Sequence, residues 1–566
     1  MNIITKASLV LHMVRWRATW DKRNTRYPSP VPENPKFMTP REAVALIHDG
    51  AVLGISGLAG NQRPSVVYWA IQELFEETGH PCDLTIMAIG GIGGRSKLPG
   101  TAEELGREKL AKRLVTGHME TFKTFLKLGD AGKVELQCIP QGVMAFLLDA
   151  QTRGEDTIRL RTGVGTFIDP RVGRGSPLTD GTAEQWVHVD GDTLHYRIPK
   201  LEVALFNAPA ADREGNIYVK NAAMIGESRV MARAARKNGG KVIVNVGLVV
   251  DKGYDEIFLP AEDVDAIVAY PETEQTGSVK HRKYWSLFTT DSTVSVQEGI
   301  ERVRFINSLL GITPKRSAVD SAMARLAASL LAQNVSKGAY VNIGTGLPEE
   351  VCRVMYEGSL LEDITLLTES GVMGGVPTPG VFFGAAVCPR RMMSSTEIFN
   401  LCYEKLDVTC LGVLQADSHG NVNVSKRGEG AINYVGPGGF IDLTTAAKMV
   451  VFISTWMAKA SFAIRDGKIV IERPGPCKFV EQVDEITFNG QEALRTGKRV
   501  FYATNVGAFQ LTERGMELIA VMPGIDIQKD IVDVAPMRVV LPPSGEVLSV
   551  DPAIVTGDGF NLTLRR

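Results

Sequence analysis

Short runs of apolar and β-branched residues recur along the chain, most of them closing on glycine. They include "GAVLGISGL" from Gly50, "DLTIMAIGGIGG" from Asp83, "KVIVNVG" from Lys241, "GAYVNIGTGL" from Gly338, "DITLLTESGVMGG" from Asp363 and "KMVVFIS" from Lys448. Runs this short, apolar at successive positions, predict strands buried on both faces. Between them lie segments with helical apolar spacing, such as "RPSVVYWAIQELFEETG" and "LPEEVCRVMYEG". Buried strands alternating with helices predict an α/β fold of mostly parallel sheets with flanking helices.

The pattern occurs twice. "DLTIMAIGGIGG" pairs with "DITLLTESGVMGG", which has one residue inserted before its final glycines, and "ADREGNIYV" from Ala211 pairs with "ADSHGNVNV" from Ala416. "KVIVNVG" pairs with "KMVVFIS" and "GAVLGISGL" with "GAYVNIGTGL", and the order of the four blocks is kept. One fold used twice in tandem accounts for this. The stretch from Pro271 to Thr293 is polar and aperiodic and marks the seam. The expected organisation is a basic arm over 1–34, an N-terminal domain over 35–290 and a C-terminal domain over 291–566. The last part, after about Lys529, has no counterpart in the first half.

Composition narrows the functional classes. The chain has 566 residues, 44% apolar content and a net charge of −2, enough for several cores and without a bias towards nucleic acid. Its seven cysteines contain no Cys-x-x-Cys pair and its eight histidines no ligand spacing, so neither a disulfide framework nor a metal site is expected. Up to Arg26 the amino terminus carries six basic residues against a single acid, Asp21. Its apolar run is too short to span a bilayer. It reads as an arm lying on the protein or on a partner subunit, with a transit peptide or a membrane-surface helix as the other readings. A cytoplasmic protein without a membrane span is the expectation.

The duplication isolates one acid. Glu369 stands where a strand block enters a glycine-rich loop, and the first copy has Ala88, Ile89 and Gly90 at that level. The fold therefore does not need a carboxylate there. In open α/β sheets, ligands bind beyond the carboxyl ends of the strands, which makes Glu369 a catalytic candidate. A solvated loop glutamate or an ion-pair partner is the alternative. Neither "GISGLAG" nor "GGIGGRS" has the spacing and the following acid of a dinucleotide site, and His118 and His419 read as loop histidines.

"TESGVMGG", Thr368 to Gly375, resembles the glutamate motif of the family I CoA-transferases. Three further stretches agree in type and order: "DGAVLGISGLAGNQRP" with the family's amino-terminal glycine signature, "IPQG" with its oxyanion glutamine, and "GPGGFIDLT" with its oxyanion glycine loop. Leu58-Ala59 departs from the Gly-Phe usual in the first of these. "GVGTFIDPR" and "GIDIQKDIVD" point to the propionate and acetate branch, with α-type and β-type halves fused in one chain.

The resemblance implies that Glu369 is the nucleophile and that Gln141 and the N–H groups of Gly438 and Gly439 bind the oxyanion. It also implies substrate contact at Gly57, Gly60, Gly344, Gly346, Gly371, Gly374, Gly375 and Gly436. Coenzyme A is then a substrate, with no permanently bound cofactor. The partners implied are a short-chain acyl-CoA and a free carboxylate, in a homodimer or homotetramer. Transfer would be ping-pong, through an acyl-glutamyl anhydride and a glutamyl-CoA thioester. An acyl-CoA hydrolase using the same pocket, or a non-catalytic CoA-ester binder, stays open as an alternative.

Overall fold

The computed structural model describes residues 1–565 apart from 180–182 and 313. Two sheets carry the chain. In the first, the strands lie in the order Ala266–Ala269, Lys241–Val250, Val203–Asp212, Val52–Ile55, Leu84–Ala88, Ala111–Thr116 and Glu135–Gln137, all parallel. A short strand, Ile217–Tyr218, pairs antiparallel to Val203–Asp212. Every residue of Leu84–Ala88 and of Val203–Asp212 is buried, as expected for strands covered by helices on both faces.

The second sheet repeats the centre of the first. Thr365–Leu367, Tyr340–Ile343, Leu406–Gly412, Met449–Ile453 and Arg499–Ala503 run parallel in that spatial order. Tyr340–Ile343 sits between Thr365–Leu367 and Leu406–Gly412, just as Val52–Ile55 sits between Leu84–Ala88 and Val203–Asp212. The matched "AD…GN" blocks close the same turn in both halves. Asp212 Oδ1 accepts from the N–H of Gly215 at 2.9 Å, and Asp417 Oδ1 accepts from the N–H groups of His419 at 3.0 Å and Asn421 at 3.1 Å. An aspartate side chain mimicking a backbone turn explains why that residue recurs.

At their outer edges the two sheets differ. Leu84–Ala88 leads by a crossover to the parallel strand Ala111–Thr116, whereas Thr365–Leu367 folds back at once to Val372–Met373, which is antiparallel. The second sheet closes at its other end with the meander Gly507–Thr512 and Gly515–Val521.

The polar seam holds a two-stranded ribbon, Glu274–Thr276 with Val279–Lys280. It leads to the helix Val296–Leu310, capped by Ser295 at its start and left-handed Gly311 at its end. The basic arm forms a helix, Ile3–Thr19, whose Leu9, Met13 and Trp16 pack with Val279, Leu287, Phe288 and Val303. Ile3, Ile4, Val10, Leu11 and Val14 of the same helix face solvent. Among the described residues no helix is long and apolar enough to cross a membrane. One hydrophobic core runs from the first sheet into one face of the second, which joins the halves side by side.

Candidate active site

Glu369 lies at the tip of the hairpin formed by Thr365–Leu367 and Val372–Met373. The turn is tightly held: the Thr368 N–H donates to the Val372 carbonyl at 3.0 Å and the Gly371 N–H to the Thr368 carbonyl at 3.1 Å. Ser370 Oγ donates to the Gly384 carbonyl at 2.5 Å. With its neighbours pinned, Glu369 projects towards Gly439, where an added Cβ would lie 2.6 Å from Oε2. A side chain at 439 would therefore displace the carboxylate. Leu367, Phe399, Cys402 and Leu443 form an apolar cluster with Ala145 of the first half; burial raises the Cys402 thiol, and the charge of Glu369 adds to the rise. Burial pushes the Glu369 carboxyl up to about 7, and the Gly439 N–H facing it acts in the opposite direction.

The loop before Gly439 is stitched to the first half. The Gly438 N–H donates to the Gly117 carbonyl at 2.9 Å, the Glu120 N–H to the Val435 carbonyl at 3.0 Å and the Gln141 N–H to the Gly438 carbonyl at 3.0 Å. The two glycines named from the sequence thus differ. The N–H of Gly438 is committed to Gly117, while that of Gly439 faces the glutamate.

Gln141 opens the helix Gln141–Thr152, and its side chain is 1% exposed with Oε1 unpartnered. Pro140, at the cap position, supplies no side-chain hydrogen bond. The second half caps this helix instead: the Gly142 N–H donates to Asp442 Oδ2 at 2.9 Å. Caps of this kind typically contribute about 1 kcal/mol. Asp442 is fully buried, and burial pushes its carboxyl up to about 8, with the nearby Glu369 charge adding to the rise.

Two residues at this corner were not picked out from the sequence. Asp442 lies inside the quoted glycine-loop motif, and the missing cap at Pro140 was the signal that something outside the helix must supply one. His118, read as a loop histidine, packs its ring against Gly91 and Gly438. Burial, followed by the charge of Arg95, pushes its pKa down to about 4, so the imidazole is neutral at pH 7.

The glycines expected at the substrate have varied surroundings. Gly57 is packed against the Asn61 carbonyl within its own turn, and Gly60 against the Val381 carbonyl of the second half and against Gly277. Gly371, Gly374 and Gly375 lie against Met393, Arg390 and Val387, letting the hairpin pass the segment 387–393. Gly344 donates to the Cys410 carbonyl at 2.8 Å, and Gly436 packs on the Gly117 carbonyl. Among these eight, Gly346 alone has open space around it. Close packing accounts for the other seven, against the Arg390 and Leu411 side chains at Gly374 and Gly344 and against neighbouring backbone at the rest.

One trio of metal-ligating groups, Asp49, His80 and Cys82, brings its ligand atoms within 4.8 Å of one another. Asp49 and His80 are exposed, and the trio precedes the strands Val52–Ile55 and Leu84–Ala88 at the amino-terminal edge of the first sheet. Asp49 already accepts from the Cys82 N–H at 2.9 Å and contacts His80 Nδ1 at 2.6 Å.

Residues 37–269 match the family model described as "Coenzyme A transferase". A caffeate CoA-transferase of Acetobacterium woodii is 32% identical over 509 residues, 88% of this chain and 93% of that protein. The acetate CoA-transferase YdiF of Escherichia coli is 29% identical over 538 residues, 93% of this chain and 96% of that protein. The crystal structure of the Escherichia coli O157:H7 acyl-CoA transferase YdiF as a thioester complex with CoA superposes with a TM-score of 0.82, at 28% identity, over 95% of this chain and 99% of that one. The chain accordingly belongs to the family I coenzyme A transferases, with both halves of the enzyme fused in one polypeptide.

Proposed function

We propose that this enzyme moves CoA between a short-chain acyl-CoA and a free carboxylate through covalent intermediates on Glu369. The observation that carries the reading is the Glu369 carboxylate facing the Gly439 N–H, in a loop whose Gly438 carbonyl holds the N–H of Gln141.

Ionised Glu369 attacks the thioester carbonyl carbon. The C–S bond breaks, CoA leaves as a thiolate, and an acyl-glutamyl anhydride remains. The thiolate then attacks the glutamyl carbonyl, the C–O bond to the acyl group breaks, and the first acid departs, leaving glutamyl-CoA. An incoming carboxylate reverses both steps. Each tetrahedral intermediate needs donors already in place; we assign that role to the Gln141 amide and the Gly439 N–H, and loss of one such donor typically costs about 3 kcal/mol of barrier.

The raised pKa suits the role. A carboxylate in a desolvated site is a better nucleophile than one in water, and the apolar cluster under it excludes the water that would hydrolyse either intermediate. The short-chain assignment is supported by the acetate CoA-transferase relative; the caffeate CoA-transferase relative sets the competing possibility, a larger aromatic acid.

Incubation with acetyl-CoA and no acceptor is expected to leave CoA on the peptide bearing Glu369, detectable by mass spectrometry and removed by added acetate. An unmodified peptide in active protein overturns the covalent reading. CoA release that is independent of any acceptor carboxylate would favour the hydrolase instead.

A further inference from the structure

An amide serves an oxyanion only when its NH2 end faces the charge. Rotated by half a turn, the same side chain presents its oxygen and repels the intermediate. Nothing on the helix Gln141–Thr152 itself prevents that rotation. The Gln141 N–H is spent on the Gly438 carbonyl and the Gly142 N–H on Asp442, so both hold the backbone and leave the side-chain amide free.

The group that faces the amide is the His118 ring. His118 follows the strand Ala111–Thr116 and is fixed at its backbone: its N–H donates to Thr116 Oγ1 at 3.2 Å and its carbonyl accepts from Thr121 Oγ1 at 3.1 Å. The ring is wedged between two glycines. A Cβ at Gly91 would come within 3.0 Å of the His118 Cβ, and one at Gly438 within 3.0 Å of its Cδ2. Two buried polar atoms are left without partners here, His118 Nε2 and Gln141 Oε1. One can donate and the other can only accept. Unpaired buried polar atoms are rare in folded proteins and costly, by about 1–3 kcal/mol each.

We propose that His118 is a positioning residue for the transfer reaction: its Nε2–H holds the Gln141 amide oxygen and so turns the amide NH2 towards the reacting carbonyl. The inference rests on the reading of Gln141 as an oxyanion donor. A neutral ring carries the single proton this task needs, and burial keeps it neutral through the working pH range. The ring's place against Gly438 couples it also to the loop that presents Gly439, so the two donors are aligned by one side chain.

The test is a double-mutant cycle on the full-length enzyme with acetyl-CoA and a carboxylate acceptor. His118→Phe fills the space between Gly91 and Gly438 but has no donor. It is expected to lower kcat by about 10- to 100-fold and to leave KM for acetyl-CoA within about twofold. His118→Gln puts an N–H back near the Nε2 position and is expected to recover most of the loss. In a Gln141→Ala background, His118→Phe is expected to add less than about twofold, because the group it positions is gone. The proposal is overturned if His118→Phe keeps wild-type kcat, if His118→Gln is as slow as His118→Phe, or if the loss multiplies in full on Gln141→Ala. Should Gln141→Ala alone keep the wild-type rate, the oxyanion reading falls and this inference falls with it, a result distinct from the other three.

Discussion

In the first half, the strand Leu84–Ala88 runs on through Ile89 and Gly90 into a crossover; in the second, Thr365–Leu367 stops and turns back with Glu369 at the tip. The corners beneath these points are related. The Gln141 N–H of the first half donates to Gly438 of the second, and the Ser395 N–H of the second donates to Gly226 of the first, each at 3.0 Å. Next to Gly438 stands Gly439; next to Gly226 stands Glu227, whose carboxylate accepts from Ser56 Oγ at 3.2 Å.

Ser56, Gln62, Glu227 and Ser228 bond with one another at the first corner, where Ser395 Oγ and Thr396 Oγ1 stay buried without a partner. The second corner keeps unpartnered atoms on His118, Gln141 and Asp442. Both corners thus keep buried unpartnered atoms; the first surrounds its carboxylate with hydroxyl and amide partners, whereas Glu369 faces the Gly439 N–H, and the proposed chemistry is assigned to the second. Buried polar atoms left unsatisfied by the protein are available to a reacting group.

The largest test of that contrast is removal of the carboxylate proposed as nucleophile. Glu369→Gln is expected to fold and to lose transfer by about 10⁴-fold or more, since an amide cannot form the anhydride. Glu369→Asp retracts the charge by about 1.5 Å and should lose on the order of 10²-fold while gaining slow acceptor-independent CoA release. CoA release with and without acetate separates the two.

Gln141→Ala comes next, with kcat expected to fall about 10²-fold. Its structural counterpart, Ser395→Ala, should leave kcat within about twofold. Equal losses at both positions would erase the distinction between the corners.

Asp442→Ala removes the cap on the helix that bears Gln141. Stability is expected to fall by about 1 kcal/mol, read from urea unfolding, and kcat by about 10-fold as the amide shifts.

The smallest effects concern pH. Glu369 has a folded pKa of about 7 against an ordinary value of 4.5. The folded state therefore holds the proton more tightly, and stability present below pH 4.5 is lost as pH rises towards 7. Glu369→Gln should be more stable than wild type at pH 8, on the order of 2 kcal/mol, with the gap closing at pH 4.5. Glu227, also pushed up to about 7 by burial, should give a stabilised Glu227→Gln with unchanged transfer. Wild-type transfer itself should rise with pH through about 7, as the nucleophile ionises.

Much of this organisation was legible from the chain alone. The buried strand runs and their order are local properties of apolar pattern, and the repeated blocks exposed the duplication before any geometry. Glu369 could be singled out because its counterpart level is occupied by Ile89 and Gly90. Gly439 and Gly438 could not be told apart, because one N–H turns to the glutamate and the other to Gly117, residues distant in sequence. The glycines expected to admit substrate mostly admit neighbouring backbone, a distinction that depends on what lies across from each.

What the sequence by itself determined is the fold class, the doubling of the domain and the identity of the odd carboxylate, since hydrophobic period, turn chemistry and self-comparison are written in neighbouring residues. What only the tertiary structure decided is the company Glu369 keeps. His118, Gln141 and Asp442 are far apart along the chain and carry no shared local pattern. They meet because the loop before Gly439 hydrogen-bonds across the two halves. There burial shifts the protonation of His118, Asp442 and Glu369, and burial is a property of the packed molecule that no single stretch of chain contains.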